Sequence, residues 1–208
     1  MIAVVILIDQ VIKISVKTSM WIGQRIEVTD WFQIFFTENK GMAFGMDFIG
    51  TFFLAIVRVA AIALFVWILS NVVRKHAPLG MVVCLACVIA GAAGNIIDNC
   101  FYGLIFSESG YPFDPVSHIV PFGEGYGSFL SGQVVDMFYF PLFTWPRWMP
   151  LVGGDVFFGA VFNFADAAIS CGAVAIFIFY HDKLTSAYLF SKPDVHTDAE
   201  TASGNKKS

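Results

Sequence analysis

The chain has 208 residues, 57% of them hydrophobic and only 13% charged, with 23 Phe and a mean hydropathy of +0.72. A soluble domain carries about 25% charged residues, so composition excludes that class and points to a single membrane domain. The net charge of −4 is small and unclustered, with no basic stripe for a nucleic-acid partner.

Taken in chain order, 1–20 is long enough for about 30 Å of helix, one membrane span. It contains Asp9, Lys13 and Lys17 and lacks an A-x-A-like cleavage site, so it reads as an anchor and not a removable signal peptide. Asp9 and Lys13 are four apart and share a helix face. They are either an interfacial ion pair that orients the helix or the support of a site at its outer end. The β-branched and aromatic runs 26–30 and 32–36 predict short strands within 21–50. Thr37 to Gly45, with Asn39, Gly41 and Ala43, follows as a turn.

The second span is 51–70, interrupted by Arg58, whose stem can snorkel or whose head can meet an intramembrane carboxylate. A short basic loop, 71–79, leads to the third span, 80–102. Its small residues, Ala90 to Gly94, let helices approach closely, and Asn95 and Asp98 follow on one face. The segment 104–155 is Gly/Pro-rich and aromatic, which predicts contact with the membrane interface. It includes His118, read as a loop residue, and Asp136 inside the apolar run 133–140. The fourth span, 156–180, would give about 37 Å of helix, with Asn163 and Asp166 three apart on one face. A polar tail, 186–208, is expected to be disordered, leaving 1–185 as one domain.

Four spans place both termini and the 71–79 loop together, with Arg74, Lys75, Lys183, Lys192, Lys206 and Lys207. The positive-inside rule puts that side in the cytoplasm and 21–50 and 104–155 outside. Asp98, Asp136 and Asp166 then fall near the outer boundary, where Asn39, Asn95 and Asn163 can join them. Two close carboxylates in low dielectric share a proton, giving an acid and a base that can activate water against a carbonyl. No Ser/His, Cys/His or zinc-ligand set is apparent beside them. Cys84-x-x-Cys87 has a redox or zinc spacing but no accompanying His or second pair, so all four cysteines read as small buried hydrophobes. Neither a metal nor another cofactor is expected.

The motifs, in order, resemble those of the lipoprotein signal peptidases, the membrane aspartic peptidases also called signal peptidase II. Asp9-Gln10-x-x-Lys13 resembles the first-span motif and Asn39-Lys40-Gly41-Met42-Ala43-Phe44 the N-x-G-x-A-F loop. Gly91 to Asp98 resembles G-x-x-G-N-x-x-D, and the segments around Asp136 and Asp166 resemble the two that carry catalytic aspartates. The resemblance implies an all-α polytopic fold of four transmembrane helices, with a small extracytoplasmic β-cradle over 21–50 and a loop or helix lid. It implies that Asp136 and Asp166 are catalytic. Asn39, Gly41, Ala43, Gly91, Asn95, Asp98, Asn163 and Ala165 would line or support the cleft, with Asp9 and Lys13 behind them.

The implied substrate is a prolipoprotein whose cysteine bears a diacylglyceryl group, cut on the N-terminal side of that cysteine. The implied setting is the bacterial inner membrane, among lipids, with the chain acting as a monomer. Two departures stand out: Asn99 occupies a position where the family commonly has Arg, and 104–132 is longer than the family's usual loop. A proton-coupled carrier using Asp98, Asp166 and Arg58 and a non-catalytic scaffold are the rival readings. A carrier would need polar residues deep in several spans, whereas here they cluster at one end.

Overall fold

The computed structural model describes residues 1–39 and 48–183, and for 48–55 and 182–183 the backbone alone. Gly41 and Ala43, with the rest of the turn beyond Asn39 up to residue 47, and the tail from 186 lie outside the described residues. An apolar run free of Gly and Pro forms α1 (Ile2–Lys17). The predicted hairpin follows as β1 (Arg25–Thr29) and β2 (Phe32–Asn39). Next come α2 (Phe48–Arg74) and α3 (Leu79–Ile97). Pro78 at the N-cap of α3 stands where no intrahelical donor is required. A π-helical turn, Asp98–Tyr102, and a single turn α4 (Gly103–Ile105) prolong α3. The chain then forms β3 (Val134–Tyr139), β4 (Phe143–Thr144), β5 (Val156–Phe157), β6 (Val161–Phe162) and α5 (Phe164–Lys183).

Among the described residues three helical stretches are long and apolar enough to cross a membrane: Ile56–Arg74, Leu79–Ile105 and Phe164–His181. Their outer faces expose Leu64, Val66 and Trp67 on α2 and Val174, Phe177 and Phe179 on α5, a surface suited to lipid tails. The first predicted span is shorter than expected: α1 has 16 residues, against the roughly 20 that cross a bilayer.

The fourth span begins later than its hydropathy predicts. Val156 pairs with Thr144 and Phe162 with Phe138, so 156–162 commits backbone groups to strands and α5 starts at Phe164. Asn163 therefore precedes the helix and does not lie along its face. The sheet also draws on more of the chain than 21–50. Its order is β1-β2-β3-β6, antiparallel throughout, and β3 comes from the segment read as a long loop. Asp136 lies opposite Thr37, and Val134 opposite Asn39. After α4, residues 106–155 contain no helix, so the lid helix that the resemblance implies is not among the described elements.

Glycines decide how closely the helices meet. A Cβ on Gly91 would lie 2.3 Å from the Ala165 carbonyl oxygen, and one on Gly172 would lie 2.6 Å from that of Cys84. Only at such backbone contact does the first turn of α5 reach Asn95 on α3. Beneath the sheet, Met20, Phe36, Tyr102, Phe106, Val135 and Met137 form a buried cluster that fixes β3 over the end of α3.

Candidate active site

The site begins with a local feature of α5. The Asn163 side-chain oxygen accepts the Asp166 N–H at 2.8 Å, and Asp166 Oδ2 accepts the Asn163 N–H at 3.4 Å. This is a capping box written with Asn and Asp. The spacing that predicted a shared helix face is instead the spacing of a cap, and it pins the Asp166 carboxylate at the helix mouth. Helix N-termini favour negative charge there.

Asn163 also reaches the second acid. Its Nδ2 donates to Asp136 Oδ1 at 2.6 Å and to Asn95 Oδ1 at 3.2 Å. Asn95 Nδ2 donates to Asp166 Oδ1 at 2.8 Å. Asp136 comes from the middle of β3 and is buried, whereas Asp166 is partly exposed. Burial, and then the charge of Asp166, push the Asp136 carboxyl up to about 7, against the lowering effect of the Asn163 hydrogen bond. One acid thus tends to keep its proton near neutral pH beside another that meets water.

Behind this pair lies a cation-centred cluster. Lys13 Nζ is 2.9 Å from Asp9 Oδ2, 2.7 Å from Asp98 Oδ2 and 2.8 Å from Asn95 Oδ1. Asp9 Oδ1 accepts the Ala165 N–H at 2.8 Å, giving α5 a second cap from another helix. Asp98 Oδ2 accepts the Val135 N–H at 3.4 Å, one residue before Asp136. Gly94 is confined by the same cluster, since a Cβ there would lie 2.7 Å from Asp9 Oδ2.

Of the predicted site residues, Asn95, Asp136, Asn163 and Asp166 meet directly. Asp9, Lys13, Asp98, Gly91 and Ala165 form the layer beneath, and Asn39 lies on the strand opposite Val134. Three groups were not singled out. Gln10 donates to Asp98 Oδ1 at 2.9 Å and accepts from the Tyr102 hydroxyl at 3.1 Å. Its place inside the first-span motif was the available signal. A buried Lys17–Glu38 pair, joined by Ser109, ties α1 to β2. A Ser107–His118 pair at 3.1 Å also exists in the loop. The backbones of the same two residues bond to each other or to the Ser107 hydroxyl, Ser107 N to His118 O at 2.9 Å and His118 N to Ser107 Oγ at 3.0 Å, which makes it a loop staple. Among the described residues no three His, Cys, Asp or Glu side chains are grouped to hold a metal.

Comparison with known proteins gives a consistent result. The profile of the family described as Signal peptidase (SPase) II matches residues 1–181. The chain is 45% identical to a lipoprotein signal peptidase of Porphyromonas gingivalis over 185 residues, covering 86% of this chain and 80% of that one. It is 34% identical to one from Amoebophilus asiaticus, covering 82% and 72%. Among solved structures it is similar to a bacterial membrane enzyme determined by the in meso method at 1.9 Å resolution. The TM-score there is 0.58 at 26% identity, with 85% of this chain and 87% of that one covered.

Proposed function

This chain belongs to the signal peptidase II family, and from that premise we propose that Asp136 and Asp166 are the dyad with which it cuts prolipoproteins. Membership makes it a multi-pass membrane protease of lipoprotein processing. The observation that carries the finer reading is the single Asn163 side chain, hydrogen-bonded to Asp136 Oδ1 and to the Asp166 N–H. It joins a buried acid to a partly exposed one.

Asp166, ionised, takes a proton from a water whose oxygen attacks the scissile carbonyl carbon. Asp136 gives its proton to the carbonyl oxygen, forming a neutral gem-diol. On collapse the C–N bond breaks, the proton on Asp166 passes to the leaving amine, and Asp136 recovers one from the diol. The amine is that of the diacylglyceryl cysteine, so the acyl fragment released is the signal peptide.

The membrane reading follows from the charge asymmetry. Basic residues gather with both termini, which puts the termini in the cytoplasm and the dyad at the outer face of the inner membrane. α1 acts as a span beside the three apolar helical stretches, presenting Val4, Leu7 and Val11 to lipid while Asp9, Lys13 and Lys17 point inward, buried. The chain acts as a monomer among lipids.

The test is cleavage of a lipidated precursor peptide by detergent-purified protein. Asp136→Asn and Asp166→Asn, each still inserted and monodisperse, should lose activity by about 1000-fold or more, the scale of losing an acid–base group and its charge. Substantial turnover by either variant overturns the dyad.

A further inference from the structure

Arg58 is a cation within an apolar helix, eleven residues along α2, and an intramembrane charge is retained where something answers it. Its guanidinium donates to Asn99 Oδ1. Asn99 is 3% exposed, and its Nδ2 donates to the Gly132 carbonyl at 2.7 Å while the Gly132 N–H returns to Asn99 O at 2.9 Å. With the amide nitrogen committed to Gly132, the carboxamide oxygen has to face α2. Asn99 is therefore a fixed bracket for Arg58, built on the π-helical turn and on the segment that leads into β3.

Asn99 stands four residues, about one helical turn, beyond Asn95, whose Nδ2 donates to Asp166 Oδ1 at 2.8 Å. The bracket therefore holds the guanidinium one turn from the partner of Asp166, and the charges of Asp166, Asp98 and Asp136 all reach it. The ion pairs among the described residues join Lys13 to Asp9 and Asp98, and Lys17 to Glu38, so Arg58 acts on these acids across a gap. Asp98 already has Lys13 at 2.7 Å. Asp166 is held instead by uncharged donors, the Asn95 amide and the Asn163 backbone N–H. Among the described residues, the charged groups around the dyad are Lys13 from α1, with Asp9 behind it, Asp98 from the π-helical turn and Arg58 from α2.

We propose that Arg58, held by Asn99, is the positioning cation that keeps Asp166 as the ionised, water-activating member of the pair and leaves the shared proton on Asp136. This rests on the dyad reading above. It gives the two acids distinct roles through a residue that touches neither.

The experiment measures pH profiles, kcat and KM for lipidated-peptide cleavage by wild type, Arg58→Met, Arg58→Lys, Asn99→Ala and Asp136→Asn. Arg58→Met should lower kcat about 10- to 100-fold with KM nearly unchanged, and should move the acidic limb up by about half to one pH unit, as expected when a nearby opposite charge is lost. Arg58→Lys, which keeps the charge, should restore most of the wild-type limb. Asn99→Ala should shift it in the same direction by less.

A wild-type acidic limb in folded Arg58→Met overturns the proposal. So does a raised KM with unchanged kcat and limb, which would make Arg58 a substrate grip. If Arg58→Met does not purify, Asn99→Ala decides: a shifted limb supports the assignment and an unshifted one overturns it. Turnover by Asp136→Asn would remove the dyad itself. An inactive Asp136→Asn beside an unshifted Arg58→Met removes only the role of Arg58.

Discussion

Two carboxylate clusters lie one residue layer apart, and they differ in what neutralises them. In the lower one, Asp9 and Asp98 share the Lys13 ammonium at 2.9 and 2.7 Å, all three groups essentially buried. In the upper one, Asp136 and Asp166 are met by amides from Asn163 and Asn95. A cation at hydrogen-bond distance makes a buried acid a structural tie; an amide orients the acid and leaves its charge in play. Asp98 and Asp136 sit on adjoining elements, yet Asp98 meets the Lys13 ammonium at 2.7 Å while Asp136 meets the Asn163 amide at 2.6 Å. The lower cluster also caps α5 through Asp9 and holds β3 through Val135, so it sets the geometry of the upper.

The strongest way to break this contrast is to remove the cation. Lys13→Met leaves Asp9 and Asp98 buried without their counter-charge, a change that destabilises by about 3–5 kcal/mol when one partner of a buried pair is removed. The expected result is a large fall in thermal midpoint in detergent, with activity lost through the fold. Adding Asp98→Asn to Lys13→Met should recover part of the midpoint. No recovery would show that Lys13 stabilises by something other than charge.

A milder change works on the bridge. Asn163→Ala removes the cap of α5 and the donor to Asp136, but leaves both acids and the Asp9 cap on Ala165. Activity should fall about 10- to 100-fold, the cost of misorienting reacting groups, with about 1 kcal/mol lost from the helix cap. Wild-type kcat/KM in this variant would remove Asn163 from the site.

Much of this was legible in the sequence because each acid stood out against apolar neighbours. Asp9, Asp98, Asp136 and Asp166 were all visible as costly charges, and the order of the spans put Asp98, Asp136 and Asp166 at one end. The division of labour between them was not. It depends on which acid Lys13 reaches, and α1 brings Lys13 to Asp98 across a close approach at Gly94, where a Cβ would lie 2.7 Å from Asp9 Oδ2. The strand origin of β3 was hidden because 133–140 is apolar without alternation, a pattern that a buried helix shares. The late start of α5 was hidden for a related reason. Residues 156–162 are as apolar as a span, and only pairing with β3 and β4 turns them into strands. Asn99 was noted as a departure, but its bracket on Arg58 needs the Gly132 contact, 33 residues away.

The smallest effect is the most specific to the upper cluster. Burial and the charge of Asp166 raise Asp136 from an ordinary 3.8 to about 7, so its neutral form is the one the fold favours. As a stability term, a raised value gives a contribution that is full below the unfolded value and is lost as pH rises through about 7. As a catalytic term, the same ionisation removes the acid that protonates the carbonyl. The kcat/KM profile should therefore carry an alkaline limb near pH 7, falling about tenfold per unit above it. Asp136 owes part of this shift to Asp166, so Asp166→Asn, too slow to assay, can be followed instead by titrating Asp136 with carbon-detected NMR or infrared difference spectroscopy. There the midpoint should drop when the neighbouring charge is gone. An unchanged midpoint would mean that burial alone sets Asp136 and that the two acids do not act as a pair.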